Sequence, residues 1–402
     1  MQKNRSNKLS AILIFLFLLS VIFPYVTLIR LGSDIQPYSL LLGASVLLVL
    51  GVYRSLESYV SVILLFITVL IFCFSPVVFS SVRGMASILL FCVVYMALTS
   101  VVQTVHVDKI KYILWLGLIV YLLAALVQKM LGPNSLIFLS PRYFSYGGFL
   151  GRGVDSLTAE PTFYGFTVLL LSMTYLNFSR RWSWDSVAFW GVSFFQTIFL
   201  AKSSSATLTF FVVSFCYFFL FSRLSYWLVP IIGCISLVLY FLVLNIVDVD
   251  SRLYSVLISV NDPMSFFRDD LSANDRFYNV YYSYKGAFDN VFLPHGFSNW
   301  YSYLMEASKY NADVTNVTGE DERILSLFGG LLYELGFLSL LFFYLYFRST
   351  RGIGVRNDFG AVVLIAFFSI FFFSQAIPVS HPVFALFLVS AAKYLIKRVE
   401  VK

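Results

Sequence analysis

The chain has little charge. Only 28 Lys or Arg and 21 Asp or Glu occur among 402 residues, 12% of the total. Soluble domains carry roughly 25% charged residues, so this supply is too small to coat a water-soluble fold. Histidine occurs three times, and no HExxH, GxSxG or metal-ligand cluster is present. The four cysteines (Cys73, Cys92, Cys216 and Cys234) sit inside apolar runs without CxxC spacing. They read as small buried thiols, not as a disulfide framework or a zinc site. No GK[ST] follows the glycines, so a Walker phosphate loop is excluded.

Apolar residues are abundant: 59% of the chain is hydrophobic, with 44 Phe and 26 Tyr and a mean hydropathy of +0.83. They come in blocks long enough to span a bilayer, and Tyr and Trp often fall near block ends, where interfacial anchoring favours them. Helices are expected near 9–29, 38–53, 59–79, 84–105, 112–131, 161–176, 185–201, 206–221, 227–246, 324–347, 359–376 and 381–396. Lys3, Arg5 and Lys8 precede the first block, whose length and lack of a small-x-small site favour a retained helix over a cleaved signal. The fold class is therefore all-α, a polytopic membrane protein of about twelve helices.

Orientation follows from the basic residues of the short loops. With the N-terminus in the cytoplasm, sixteen Lys or Arg fall on inner segments. Six fall on short outer loops: Arg30, Arg83, Lys129, Arg142, Arg152 and Lys202. Both termini are expected in the cytoplasm. The net charge of +7 is spread over helix ends, so nucleic acid is not an expected partner. The chain divides into residues 1–246 with nine helices, a large outer loop over 247–323, and three helices plus a tail over 324–402. The large loop is rich in Tyr and Phe. Leu253, Val256, Leu257 and Val260 repeat at helical spacing, as do Phe277, Val280, Tyr281, Tyr284 and Phe288. Two amphipathic helices are expected there.

Four polar constellations interrupt this pattern. The run from Arg142 to Tyr164 contains Arg152, Asp155 and Glu160, with Pro161 opening a helix. A carboxylate at a helix N-terminus is held as the anion; Glu160 is a candidate base for a sugar hydroxyl, or simply a cap. Lys202 with Ser203, Ser204 and Ser205 suits an anion at a helix start, or is an ordinary hairpin with a snorkelling lysine. Arg276 falls in the first turn of a helix capped by Asn274 or Asp275, a phosphate-binding arrangement. His295 follows in Pro294-His295-Gly296; a lone histidine is more often structural than catalytic. Tyr281, Tyr284 and Trp300 offer faces for sugar rings, or pack as core. Glu334 lies inside a helix, where it needs a partner. Asp248-Val249-Asp250 imitates a nucleotide-sugar DxD but falls on the outer face, away from nucleotide sugars.

The order of these segments resembles the Wzy-type polymerases of bacterial O-antigen and exopolysaccharide, and more distantly the O-antigen ligases. The local matches are Leu157-Thr-Ala-Glu-Pro-Thr-Phe-Tyr-Gly165, the serine turn after Lys202, Asp275-Arg276 leading to His295-Gly296-Phe297, and Leu332-Tyr-Glu-Leu-Gly336. Arg142 and Gly153 have the family's Arg-x10-Gly spacing. Arg276 and Gly286 depart from it, with nine residues between. Asp321, Glu322 and Arg323 stand where ligases carry a His-Asn pair, which favours polymerase over ligase.

The resemblance implies a GT-C-like fold in the bacterial inner membrane and a glycosyltransferase without cofactor or metal. Undecaprenyl-diphosphate-linked glycans would be the substrates, with the bilayer and a chain-length regulator as candidate partners. Arg142, Arg152, Lys202 and Arg276 would meet the diphosphate. Glu160, or else His295, would serve as base, and Tyr281, Tyr284 and Trp300 would meet the glycan. A lipid-linked oligosaccharide flippase is the rival from another class, but no internal repeat is evident.

Overall fold

A computed structural model describes residues 2–27, 34–76, 78–142, 153–179, 183–221, 271–310, 324, 326–351 and 379–399. Among the described residues the structure is helical throughout, with no strand. The helices are α1 (Gln2–Ile22), α2 (Tyr38–Leu50), α3 (Leu56–Cys73), α4 (Phe79–Thr104), α5 (Val107–Leu131), α6 (Pro161–Ser179), α7 (Trp184–Phe195) and α8 (Ser204–Phe221). They continue with α9 (Leu271–Asp289), α10 (Trp300–Tyr310), α11 (Leu327–Leu335), α12 (Leu340–Arg351) and α13 (Pro382–Val399).

Local chemistry sets many of the boundaries. Ser55, Ser183 and Ser326 each turn a hydroxyl back onto a backbone N–H three residues on, capping α3, α7 and α11. Pro161 and Pro382 open α6 and α13, positions where the missing N–H costs nothing. The expected first helix, 9–29, instead ends at Ile22, because Pro24 cannot continue the hydrogen-bond ladder. The span expected over 324–347 is interrupted between α11 and α12. Gly336 there has φ +57°, and a side chain on it would run into the Phe292 carbonyl. The helices expected at 227–246, 359–376 and 253–260 lie outside the described residues.

Four stretches are long and apolar enough to cross a membrane: Leu56–Cys73, Phe79–Thr104, Val107–Leu131 and Leu327–Thr350. The helices are not amphipathic in the manner of a soluble bundle. α6 is buried from Tyr164 through Phe178, and α13 from Val383 through Ala392. Helices hydrophobic all round occupy interiors, and α13 packs against α1, α4, α6 and α12. Their hydroxyls turn inward: Thr167, Ser172 and Thr174 bond the carbonyls of Phe163, Val168 and Leu170, which satisfies a polar group without water. On the outside the apolar side chains stay bare. Leu48 is 88% exposed and Phe74 84%, an arrangement costly in water and natural in lipid. Among the described residues the protein is all-helical, and its bare apolar surface and four long apolar stretches suit a membrane.

Two cross-links join helix ends away from the start of α6. Arg348 at the end of α12 pairs with Glu57, which is 2% exposed in the first turn of α3. Asp185 at the start of α7 accepts from Trp115 on α5 at 3.0 Å and from Tyr175 near the end of α6. The opposite end of α6 carries a different set of charges.

Candidate functional site

At the start of α6 three distant segments meet. Glu160 is the residue whose carbonyl receives the first helical N–H, from Tyr164 at 3.1 Å. Its carboxylate lies 2.9 Å from Arg142 Nη1. The other side of the same guanidinium reaches Asp34, with Nε and Nη2 each 3.4 Å from a carboxylate oxygen. The arginine fork suits this double engagement. Burial works against the Arg142 charge, but Asp34 and Glu160 outweigh it and raise its pKa further. The cation is fixed, and it holds Glu160 in place.

The chain entering this site is fastened from below. Gln128 on α5 exchanges two hydrogen bonds with the Ser156 backbone, at 2.7 and 3.0 Å, while the Ser156 hydroxyl donates to the Tyr121 carbonyl. Thr158 bonds the carbonyls of both Asp155 and Glu160 at 2.8 Å. Val154 N–H donates to the Leu200 carbonyl at 2.9 Å. Gly153 crosses the Ala201 backbone so closely that a Cβ would sit 2.1 Å from the Ala201 oxygen; this close approach needs glycine.

The segment it crosses is a π-helical turn, Gln196–Ala201, that follows α7 and stops at Lys202 with φ +46°. Within it Gln196 accepts from Tyr164 at 2.7 Å and donates to the Leu118 carbonyl. Ser203 donates to Thr162 at 3.3 Å. Lys202, exposed, is thereby set beside the Glu160 end of α6. Of the expected diphosphate residues, Arg142 and Lys202 share this region. Arg142, however, spends its donors on Asp34 and Glu160. Arg152 and the Arg276 side chain lie outside the described residues.

His295 stands elsewhere. It lies between α9 and α11, stacked on Tyr333, and its Nε2 is 3.0 Å from the Gly286 carbonyl. A carbonyl only accepts, so this nitrogen carries the proton. The backbone around it is committed too: His295 N–H donates to the Tyr333 carbonyl, and Gly296 N–H to that of Glu334. This is a fastening point between α9 and α11, well suited to a structural task.

The expected glycan residues separate. Trp300 is 4% exposed and packs with Tyr282, Leu304 and Tyr333. Tyr284 is largely buried, which raises its phenol pKa against the lowering effect of a Ser326 hydrogen bond. Tyr281 is 49% exposed and lines a cavity of about 630 Å³ between α9 and α10. Its neighbours there include Phe277, Lys285, Asp289, Tyr303 and Glu306.

Two charged groups complete the picture. Asp34 closes the Arg142 cluster, although hydropathy gives no hint of it: it is a single acid in a short connection. Glu334, half-buried on α11, faces the opposite charge of Arg83 at the start of α4. Arg83 in turn lies 5.8 Å from the Phe79 ring. No family model matches the chain, and no characterised protein matches it in sequence.

Proposed function

We propose that the protein is a polymerase of undecaprenyl-diphosphate-linked oligosaccharide repeat units, acting on the outer face of the bacterial inner membrane. In this reading about twelve helices in a GT-C-like arrangement cross the bilayer, both termini are cytoplasmic, and residues 247–323 form the large periplasmic loop. The observation that carries it is the placement of Glu160: a carboxylate at the open end of a buried helix, aimed by Arg142, with Lys202 on the adjoining turn.

The reaction is a displacement at an anomeric carbon. A hydroxyl at the non-reducing end of one lipid-linked unit attacks the first sugar of another. The new C–O bond forms as the bond to the diphosphate breaks, and the lipid diphosphate leaves with the electron pair. Glu160 takes the hydroxyl proton, a contribution of roughly 10²–10⁴-fold for a positioned base. Positive charge must meet the departing diphosphate. Lys202 supplies it here, with Arg152 and Arg276 as further cations of the same outer segments. Arg142 is engaged by Asp34 and Glu160, and its duty is orienting Glu160.

A ligase would share donor and fold and differ in acceptor; a flippase would move the same lipid-linked glycan without bond making. Deletion of the gene, followed by sizing of lipid-linked and surface glycan, separates them. Single repeat units that still reach the surface mark a polymerase. Long unattached lipid-linked chains mark a ligase, and unextended units trapped inside mark a flippase.

A further inference from the structure

The cavity between α9 and α10 is not needed to explain chemistry at Glu160. We infer that it is a carbohydrate subsite selective for neutral or amino sugars and closed to uronic acids, formed where an aromatic stripe of α9 faces Tyr303 and Glu306 of α10. This inference takes from the polymerase reading only the source of the glycan.

The α9 wall is built by residues one turn apart. Phe277, Tyr281, Lys285 and Asp289 recur every four residues, so they share one face of the helix. The Phe277 and Tyr281 rings are nearly parallel, 9° apart with centroids separated by 6.4 Å. Tyr281 is half exposed. Aromatic faces of this kind suit the C–H face of a pyranose, whose rim of hydroxyls then needs polar partners. They stand at the same opening. Tyr303 gives its one O–H to Asp289 at 3.2 Å, which leaves the phenol oxygen and the carboxylate as acceptors for sugar hydroxyls. Glu306 is an exposed acceptor on α10. A cavity of about 630 Å³ falls within the roughly 300–1,000 Å³ of small-molecule sites.

Charge decides the class of sugar. Among the described lining residues Asp289 and Glu306 are opposed by Lys285 alone. Lys285 Nζ is 5.8 Å from the Tyr282 ring centroid, drawn to that face. A uronic acid would bring a third carboxylate to two others. Hydroxyls or an ammonium would be welcome beside them.

The test uses the full-length protein in lipid nanodiscs and isothermal titration with three hexasaccharides: maltohexaose, the fully deacetylated chitosan hexamer and hexagalacturonate. The first two are expected to bind and the third to bind about tenfold more weakly or not at all. Tyr281→Ala should weaken maltohexaose about tenfold. Because Glu306 is exposed, Glu306→Lys should fold normally and admit hexagalacturonate while reducing chitosan binding. No binding by any probe, equal binding of all three, or binding indifferent to Tyr281→Ala would overturn the inference. So would brominated-lipid quenching of a Tyr281→Trp reporter, which would place this face in the bilayer. A protein that binds the probes yet extends no lipid-linked glycan keeps the subsite and removes the polymerase. One that extends glycan and binds no probe does the reverse.

Discussion

His295 lies flat on Tyr333, with ring centroids 4.1 Å apart and planes inclined by 3°. Its Nε2 proton is given to the Gly286 carbonyl, so the histidine ties α9 to α11. This geometry gives His295 a fastening task between the two helices. His295→Ala is expected to lower stability by roughly 1–3 kcal/mol: it removes a ring contact and one of two hydrogen bonds to the Gly286 carbonyl, which keeps the Asn290 N–H. Thermal unfolding in detergent measures this. His295→Gln, which can still donate to Gly286, should recover part of the loss, and glycan extension should follow the folded fraction. A His295→Ala protein of normal stability with no extension would return the histidine to catalysis.

The ion pair between Glu57 and Arg348 joins α3 to α12. Glu57 is almost fully buried while Arg348 keeps 35% of its side chain exposed, so the penalty for breaking the pair is below that of a fully buried one. Glu57→Gln should cost about 1–3 kcal/mol. The Glu57→Gln, Arg348→Gln double variant should be less unstable than the sum of the single changes. Additive losses in a double-mutant cycle on unfolding would show that the pair is not coupled.

Gly153 crosses the Ala201 carbonyl without room for a side chain. Gly153→Ala must push the 153–160 segment off the π-helical turn, and Gly153→Val more so. Overpacking of this kind costs roughly 1–3 kcal/mol. The expected readout is faster proteolysis near residues 153–160 with little change in the α3–α4 half. Unchanged protection would mean that the segment does not need its dock.

Much of the fold was legible because lipid-facing and fully buried helices both read as long apolar runs. The starts of α6 and α13 follow from Pro161 and Pro382. α9 was visible in the spacing of Phe277, Tyr281, Tyr284 and Phe288. α10 was not, since an 11-residue amphipathic helix in a polar loop has too few repeats to stand out. Within the site, Glu160 and Lys202 could be singled out as charges at helix ends. Their mutual arrangement could not, because it depends on Asp34, which is 108 residues from Arg142, and on backbone contacts at Gly153 that no side-chain pattern reports. Trp300 and Tyr281 look alike in sequence; only packing shows one to be core and the other wall.

Arg142 tests the difference between orienting a base and holding a phosphate. Arg142→Lys keeps the charge but loses the fork, so Glu160 should be misplaced and extension should fall by about tenfold or more. Asp34→Asn should have a smaller effect of the same kind. Chain-length profiles of lipid-linked glycan compare the variants. Full activity in Arg142→Lys would mean that charge alone suffices, and the diphosphate role would return to this residue.

The most direct measurement is glycan length in a deletion strain carrying Glu160→Gln, with protein level and membrane insertion checked in parallel. The amide keeps the size of the side chain and can take no proton as a base. Normal insertion, single repeat units on the surface, and extension reduced by about 10²–10⁴-fold are expected. Long chains at wild-type abundance from an inserted Glu160→Gln protein would contradict the base role of Glu160.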